Sequence, residues 1–184
     1  MDEYGSFTMT IYENGTMDYT ADIKLANKLF VPGSETRKYH LHSGFLGEGA
    51  TVGAVADDTD NVCGGSFTKG HYDPFVACGG ASTAKSDPPV GKSCDPSPTY
   101  CSDKSDDVLE EGQDAGACEV GDLNGRFGAL PKGPEFTVTK TGVACPGCFA
   151  DYVGSKKATY KTWGSIVFHN GSPRVLCGNL VEVV

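Results

Sequence analysis

The stretch Phe7–Ile23, FTMTIYENGTMDYTADI, decides the fold class. Apolar and polar residues alternate from Phe7 to Tyr12 and again from Met17 to Ile23. Alternation with a period of two is the mark of a strand with one buried face. Asn14-Gly15 lies between the two runs, and this dipeptide suits a tight turn that needs positive φ. The segment therefore predicts a β-hairpin, with strands at about 7–12 and 16–24.

Working outward, Tyr39-His40-Leu41-His42 reads as a further short strand. Glu135–Thr139 alternates again. Trp163–His169 and Val175–Val181 are apolar runs of strand length. No segment shows a helical period, and no internal repeat is present. The chain has 184 residues and 25 glycines, which favours many turns over long helices. Its length suits one domain over residues 1–184. The expected architecture is all-β, a sandwich or Greek-key barrel. Residues 44–118 carry little regular pattern and are rich in Gly, Asp, Pro, Ser and Cys. They predict one long excursion pinned by disulfides.

The formal net charge is −9. Nucleic acid and anionic membrane surfaces are poor partners for such a chain. No apolar run reaches the length of a membrane span. Met1 is followed at once by Asp2 and Glu3, so a secretory leader is not expected at this end. Eight cysteines, an even number set mostly in turn-rich segments, nevertheless read as a disulfide framework and a secreted protein. Asn14-Gly15-Thr16 and Asn170-Gly171-Ser172 are N-glycosylation sequons that agree with secretion, the second weakened by Pro173.

The chain has four histidines. On a strand His40 and His42 project from one face, with Leu41 turned into the core behind them. Taken alone, that pair reads more readily as two polar surface positions than as metal ligands. His71 lies in GHYDP (70–74), and His169 ends an apolar strand before the turn Asn170–Pro173. Four imidazoles suit copper, zinc or nickel, and copper where redox is the task.

Four blocks in order, YHLH (39–42), GHYDP (70–74), CEVGDLNGRFG (118–128) and SIVFHNGSPRVLCGNL (165–180), resemble the copper–zinc superoxide dismutase family. The likeness is greater to its copper-only extracellular branch. The resemblance implies one copper per domain, held by His40, His42, His71 and His169, and dismutation of superoxide to oxygen and hydrogen peroxide. It implies a role for Arg174 in guiding superoxide, and a role for His71 as proton carrier with Glu119 as its outer partner. It also implies a disulfide between Cys63 and Cys177.

No histidine lies between His71 and Asp122, where zinc-binding members keep two ligands. Zinc is therefore not expected. Glu119 would hold the far nitrogen of His71 in its place, and Asp122 would anchor a neighbouring group. Cys118 with Glu119 and Asp122 is the weaker alternative, a zinc site. Only four residues separate His169 from Arg174, which implies a copper site open to solvent. The family's first strand has no sequence left to form it before the hairpin, which leaves an open sheet edge. The chain would act as a monomer, or beside neighbouring domains of the same chain, as in repeat proteins built from copper-only modules.

The other six cysteines allow fifteen pairings. Proximity suggests Cys94 with Cys101 and Cys145 with Cys148, leaving Cys78 with Cys118. A redox role for Cys145–Cys148 lacks the βαβ context it needs. Asp57–Asn61 lacks the glycine and distal glutamate of a calcium loop. A dismutase-like module that binds copper, or only supports structure, without turnover is the competing function.

Overall fold

The computed structural model describes residues 5–24, 37–46, 63–74, 81–88, 90–91, 119–145, 152–153, 159–160, 164–171 and 174–180. The interior of the long loop, with Asp57–Asn61, Cys78, Cys94, Cys101 and Cys118, lies outside them, as does Cys148.

The hairpin forms as the alternation predicts. Strand β1 (Gly5–Ile11) pairs antiparallel with β2 (Thr16–Lys24). Gly15 closes the turn at φ 80°, a conformation that costs glycine nothing. Its N–H reaches the Tyr12 carbonyl at 2.9 Å. The Asn14 side chain accepts from the Thr16 N–H at 3.0 Å, which fixes the turn locally. Along β2, Met17, Tyr19, Ala21 and Ile23 are buried while the residues between them are partly exposed. Burying each larger one contributes about 1.5–3 kcal/mol.

Strand β3 is Tyr39–His42. Strand β4 runs from Glu135 to Ala144, five residues beyond the alternation seen in the sequence, because β2 offers partners as far as Thr16. Strands β5 (Tyr152–Val153) and β6 (Thr159–Tyr160) form a small separate pair that no sequence pattern announces. Strands β7 (Ser165–His169) and β8 (Arg174–Asn179) form a second hairpin.

Two three-stranded antiparallel sheets result, in the orders β1-β2-β4 and β3-β7-β8. The chain crosses from the first sheet to the second after β2, returns for β4, and crosses again for β7. Tyr39 and Leu41 of β3, with Ile166 and Phe168 opposite them on β7, meet Met17, Tyr19 and Ile23 of the other sheet in one core. The all-β, two-sheet expectation holds. Among the described strands β1 and β4 lie at the edges of the first sheet.

Among the described residues two α-helical turns depart from the expectation of no helix, beside a 3-10 turn at Thr83–Lys85. They are α1 (Gly65–Thr68) and α2 (Leu123–Phe127). At four and five residues, both are too short to show a 3.6-residue period. Among the described residues no helix is long and apolar enough to cross a membrane.

Candidate metal centre

The two faces of β3 divide the labour. Its core face carries Tyr39 and Leu41. Its other face carries His40, opposite Val167, and His42, opposite Ser165. Cys63, Leu46, Val167 and Cys177 form a smaller apolar cluster beside that second face. The histidines are therefore not surface residues. His42 is 0% exposed and His40 6%. The reading of the pair as two polar surface positions fails, because residues 63–71 cover this face of the sheet.

His71 reaches the pair through backbone bonding. The Tyr72 N–H donates to the Leu41 carbonyl at 3.0 Å, and the Leu41 N–H donates to Gly121 at 2.8 Å. The Gly121 N–H donates to the Tyr72 carbonyl at 2.8 Å. A Cβ on Gly121 would collide with the Leu41 carbonyl, so only glycine lets the three segments close. Glu119 and Asp122 flank this junction, which brings both acids to the histidines.

His40, His42 and His71 each present a ring nitrogen, and the three lie within 4.8 Å of one another. Such a group could hold a metal ion. His169 stands outside that triad, but its ring is edge-on to His40 with centroids 4.9 Å apart. A register shift between Phe168 and His169 sets His169 across from Arg174.

Hydrogen-bond partners assign the ring nitrogens. His42 Nδ1 lies 3.0 Å from the Lys69 carbonyl, which can only accept, so Nδ1 carries the proton. His42 Nε2 is buried and finds no hydrogen-bond partner among the described residues. His71 Nδ1 faces the Glu119 Oε2 carboxylate oxygen, which leaves Nε2 with its lone pair. His40 Nε2 is 3.5 Å from Asp122 Oδ1, while His40 Nδ1 is buried without a hydrogen-bond partner. Lone pairs left over in a buried imidazole cluster are what a metal ion would satisfy. Burial, and then the neighbouring basic groups, hold His40 and His42 well below the ordinary imidazole range. Both are therefore neutral at pH 7 and fit to ligate.

The two acids are fixed rather than solvated. Glu119 is buried. Asp122 caps α2 by accepting from the Gly125 N–H at 2.9 Å, and burial raises its pKa. Arg174 is tied to the loop before His71. Its Nη1 donates to the Cys63 carbonyl at 3.0 Å and to Thr68 Oγ1, and its Nη2 lies 3.4 Å from the Lys69 carbonyl. Burial lowers its pKa from the ordinary guanidinium value, yet arginine stays charged at neutral pH. Cys63 and Cys177 are joined by a disulfide, which ties this loop to β8.

Cys145 is also disulfide-bonded, and there is no free cysteine among the described residues. The expected pairs Cys94–Cys101 and Cys78–Cys118 lie outside the described residues, as does the partner proposed for Cys145.

The sequon at Asn170 needs correction. Asn170 is buried, and its Oδ1 accepts from Arg37, so the folded protein has no room for a glycan there. Asn14 is exposed. The sequence reading also missed Thr68 and Lys69, which hold Arg174 and His42. Neither carries a motif, and only the folded backbone brings them to the site.

No family model matches the chain, and no curated protein matches it. Among solved structures, Candida albicans superoxide dismutase 5, Cu(II), is similar at 18% identity and a TM-score of 0.44. The alignment covers all of this chain and 90% of the other.

Proposed function

We propose that this chain is a copper-dependent superoxide dismutase domain that works outside the cell without zinc. The observation that carries the reading is the convergence of buried imidazoles whose far nitrogens already face Lys69 and Glu119. Neutral nitrogen donors suit copper in both oxidation states. His40, His42, His71 and His169 would hold it, using every histidine in the chain. Copper would supply the one-electron exchange by which two superoxide ions become oxygen and peroxide.

The side chains do the rest. The nitrogen of His71 that a zinc ion would need faces Glu119 instead, which favours a site without zinc. Glu119 holds the proton at His71 Nδ1 and keeps the ring oriented, which leaves Nε2 to exchange a proton with a reduced oxygen species. Arg174 uses three of its five N–H donors in the contacts above, so donors remain for an oxyanion. It supplies local positive potential in a protein of net charge −9. Only four residues separate His169 from Arg174, which favours a short path to solvent on that side, while the ring nitrogens themselves are buried. The disulfides support an oxidising compartment.

The test is superoxide removal by copper-loaded protein, beside His71→Ala and Arg174→Ala. We expect turnover in the wild type, loss on removing His71, and a roughly tenfold or greater loss on removing Arg174, the effect of losing a fixed oxyanion donor. Copper uptake without superoxide removal would instead support a binding module.

A further inference from the structure

Arg126, on α2, is only 2% exposed. Burial lowers its pKa to about 10, so it keeps its charge at neutral pH. Taking a charge out of water is costly, and an apolar side chain of similar volume often serves a core as well or better. Packing alone therefore does not account for an arginine here.

Its contacts lead to the turn that carries the two acids. The Glu119 carbonyl accepts from the Asp122 N–H at 3.0 Å, and the Gly121 carbonyl from the Leu41 N–H at 2.8 Å. The Asp122 carbonyl accepts from the Arg126 N–H at 3.1 Å. The Val120 carbonyl, between the two acids, takes its donor from a side chain, Arg126 Nη1, at 3.1 Å. Val120 is buried, and a buried carbonyl that loses its donor is costly.

The other side of the guanidinium is anchored. Arg126 Nη1 lies 3.7 Å from Cys145 Sγ. Cys145 is buried and disulfide-bonded, and its N–H donates to the Gly15 carbonyl at 2.7 Å in the β1–β2 turn. The guanidinium carbon also lies 5.1 Å from the Phe127 ring centroid, within cation–π range. Arg126 thus ties the acid turn to the end of the first sheet. Where that turn sits decides how Glu119 meets His71 and how Asp122 approaches His40.

We propose that Arg126 is a positioning residue of the metal centre. It acts through the Val120 carbonyl, which sets Glu119 against His71 and so fixes the His71 tautomer. Its effect on the metal rests on the copper reading above, and its effect on the ring rests on geometry alone.

Three variants test this. Arg126→Met keeps much of the volume and removes charge and donors. Arg126→Lys keeps the charge and one donor group. Ile23→Ala opens a cavity in the core of β2 and controls for lost stability. In metal-free protein above the ordinary imidazole range, proton–nitrogen NMR of the labelled rings shows which nitrogen of His71 carries the proton. Wild type and Ile23→Ala should show Nδ1–H alone. Arg126→Met should show both tautomers, and Arg126→Lys should fall between.

In copper-loaded protein, competition with a chelator should show binding about tenfold weaker in Arg126→Met, the low end of the range for disturbing the outer partner of a ligating histidine. A single Nδ1–H tautomer in folded Arg126→Met would overturn the proposal. So would an equal change in Ile23→Ala, or the failure of both Arg126 variants to fold, since either would assign Arg126 to stability alone. Unchanged copper affinity beside a changed tautomer would overturn its effect on the metal. No copper uptake by wild type would overturn the copper reading, while the metal-free spectra still decide the role of Arg126.

Discussion

Glu119 shows how much one buried carboxylate can decide. Its Oε2 faces His71 Nδ1, which sets the ring tautomer. Removing such a partner of a metal-ligating histidine commonly costs 10–100-fold in metal affinity. Glu119→Ala should therefore weaken copper binding by about that factor, measured by competition with a chelator of known affinity. Unchanged affinity would remove Glu119 from the account. His40 and His42 make a second prediction, about pH. Burial lowers their pKa in the folded state, so below the ordinary value near 6.5 the unfolded chain binds more protons than the folded one. Stability of the metal-free protein should fall as pH drops through about 6.5 and continue falling toward the depressed folded values. Asp122, raised by burial, acts in the opposite sense. Denaturant midpoints between pH 8 and 5 check the sign. A midpoint that rises on acidification across that range would contradict the burial of the two rings.

At the scale of the elements, the two sheets meet at the hydroxyl pair of Tyr19 on β2 and Tyr39 on β3, which hydrogen-bond inside the core. Both side chains are almost wholly buried, and burial raises both pKa values. Tyr39→Phe alone should destabilise by about 1–3 kcal/mol, because the Tyr19 hydroxyl is left buried without its partner. Adding Tyr19→Phe should recover much of that loss, and a double-mutant cycle of unfolding free energies measures the coupling. Additive losses would mean that the two hydroxyls do not depend on each other. The same scale shows what the sequence could disclose. The β1–β2 hairpin was legible because its buried face and its Asn14-Gly15 turn are both local. Strand β3 was legible for the same reason, and the four histidines stood out by rarity. The far end of β4 was not, since its length comes from its partner rather than from its own alternation. Helices of one turn carry no period, and Gly121 looks like any loop glycine until three segments cross at it. Lys69 carries no signal at all, because only the folded backbone turns its carbonyl toward His42 and Arg174. Asn170 reads as an exposed turn residue until Arg37 covers it.

At the scale of the whole molecule, Cys63 and Cys177 close a loop with a sequence separation of 114. Constraining a loop of that size in the unfolded chain is worth about 4–5 kcal/mol in the chain-entropy view. Replacing both cysteines with serine should lower the melting midpoint by roughly 10 °C or more. It should also loosen Arg174, whose anchor is the Cys63 carbonyl. Unchanged melting would show that the long loop is held by its other contacts. The central claim is a copper centre made by four histidines, with Glu119 standing where zinc would otherwise be needed. Its most direct test is the metal content of the purified chain after it is offered equimolar copper and zinc and then freed of unbound ions. The account predicts one copper and no zinc per chain. A stoichiometric zinc, or no copper, would contradict it.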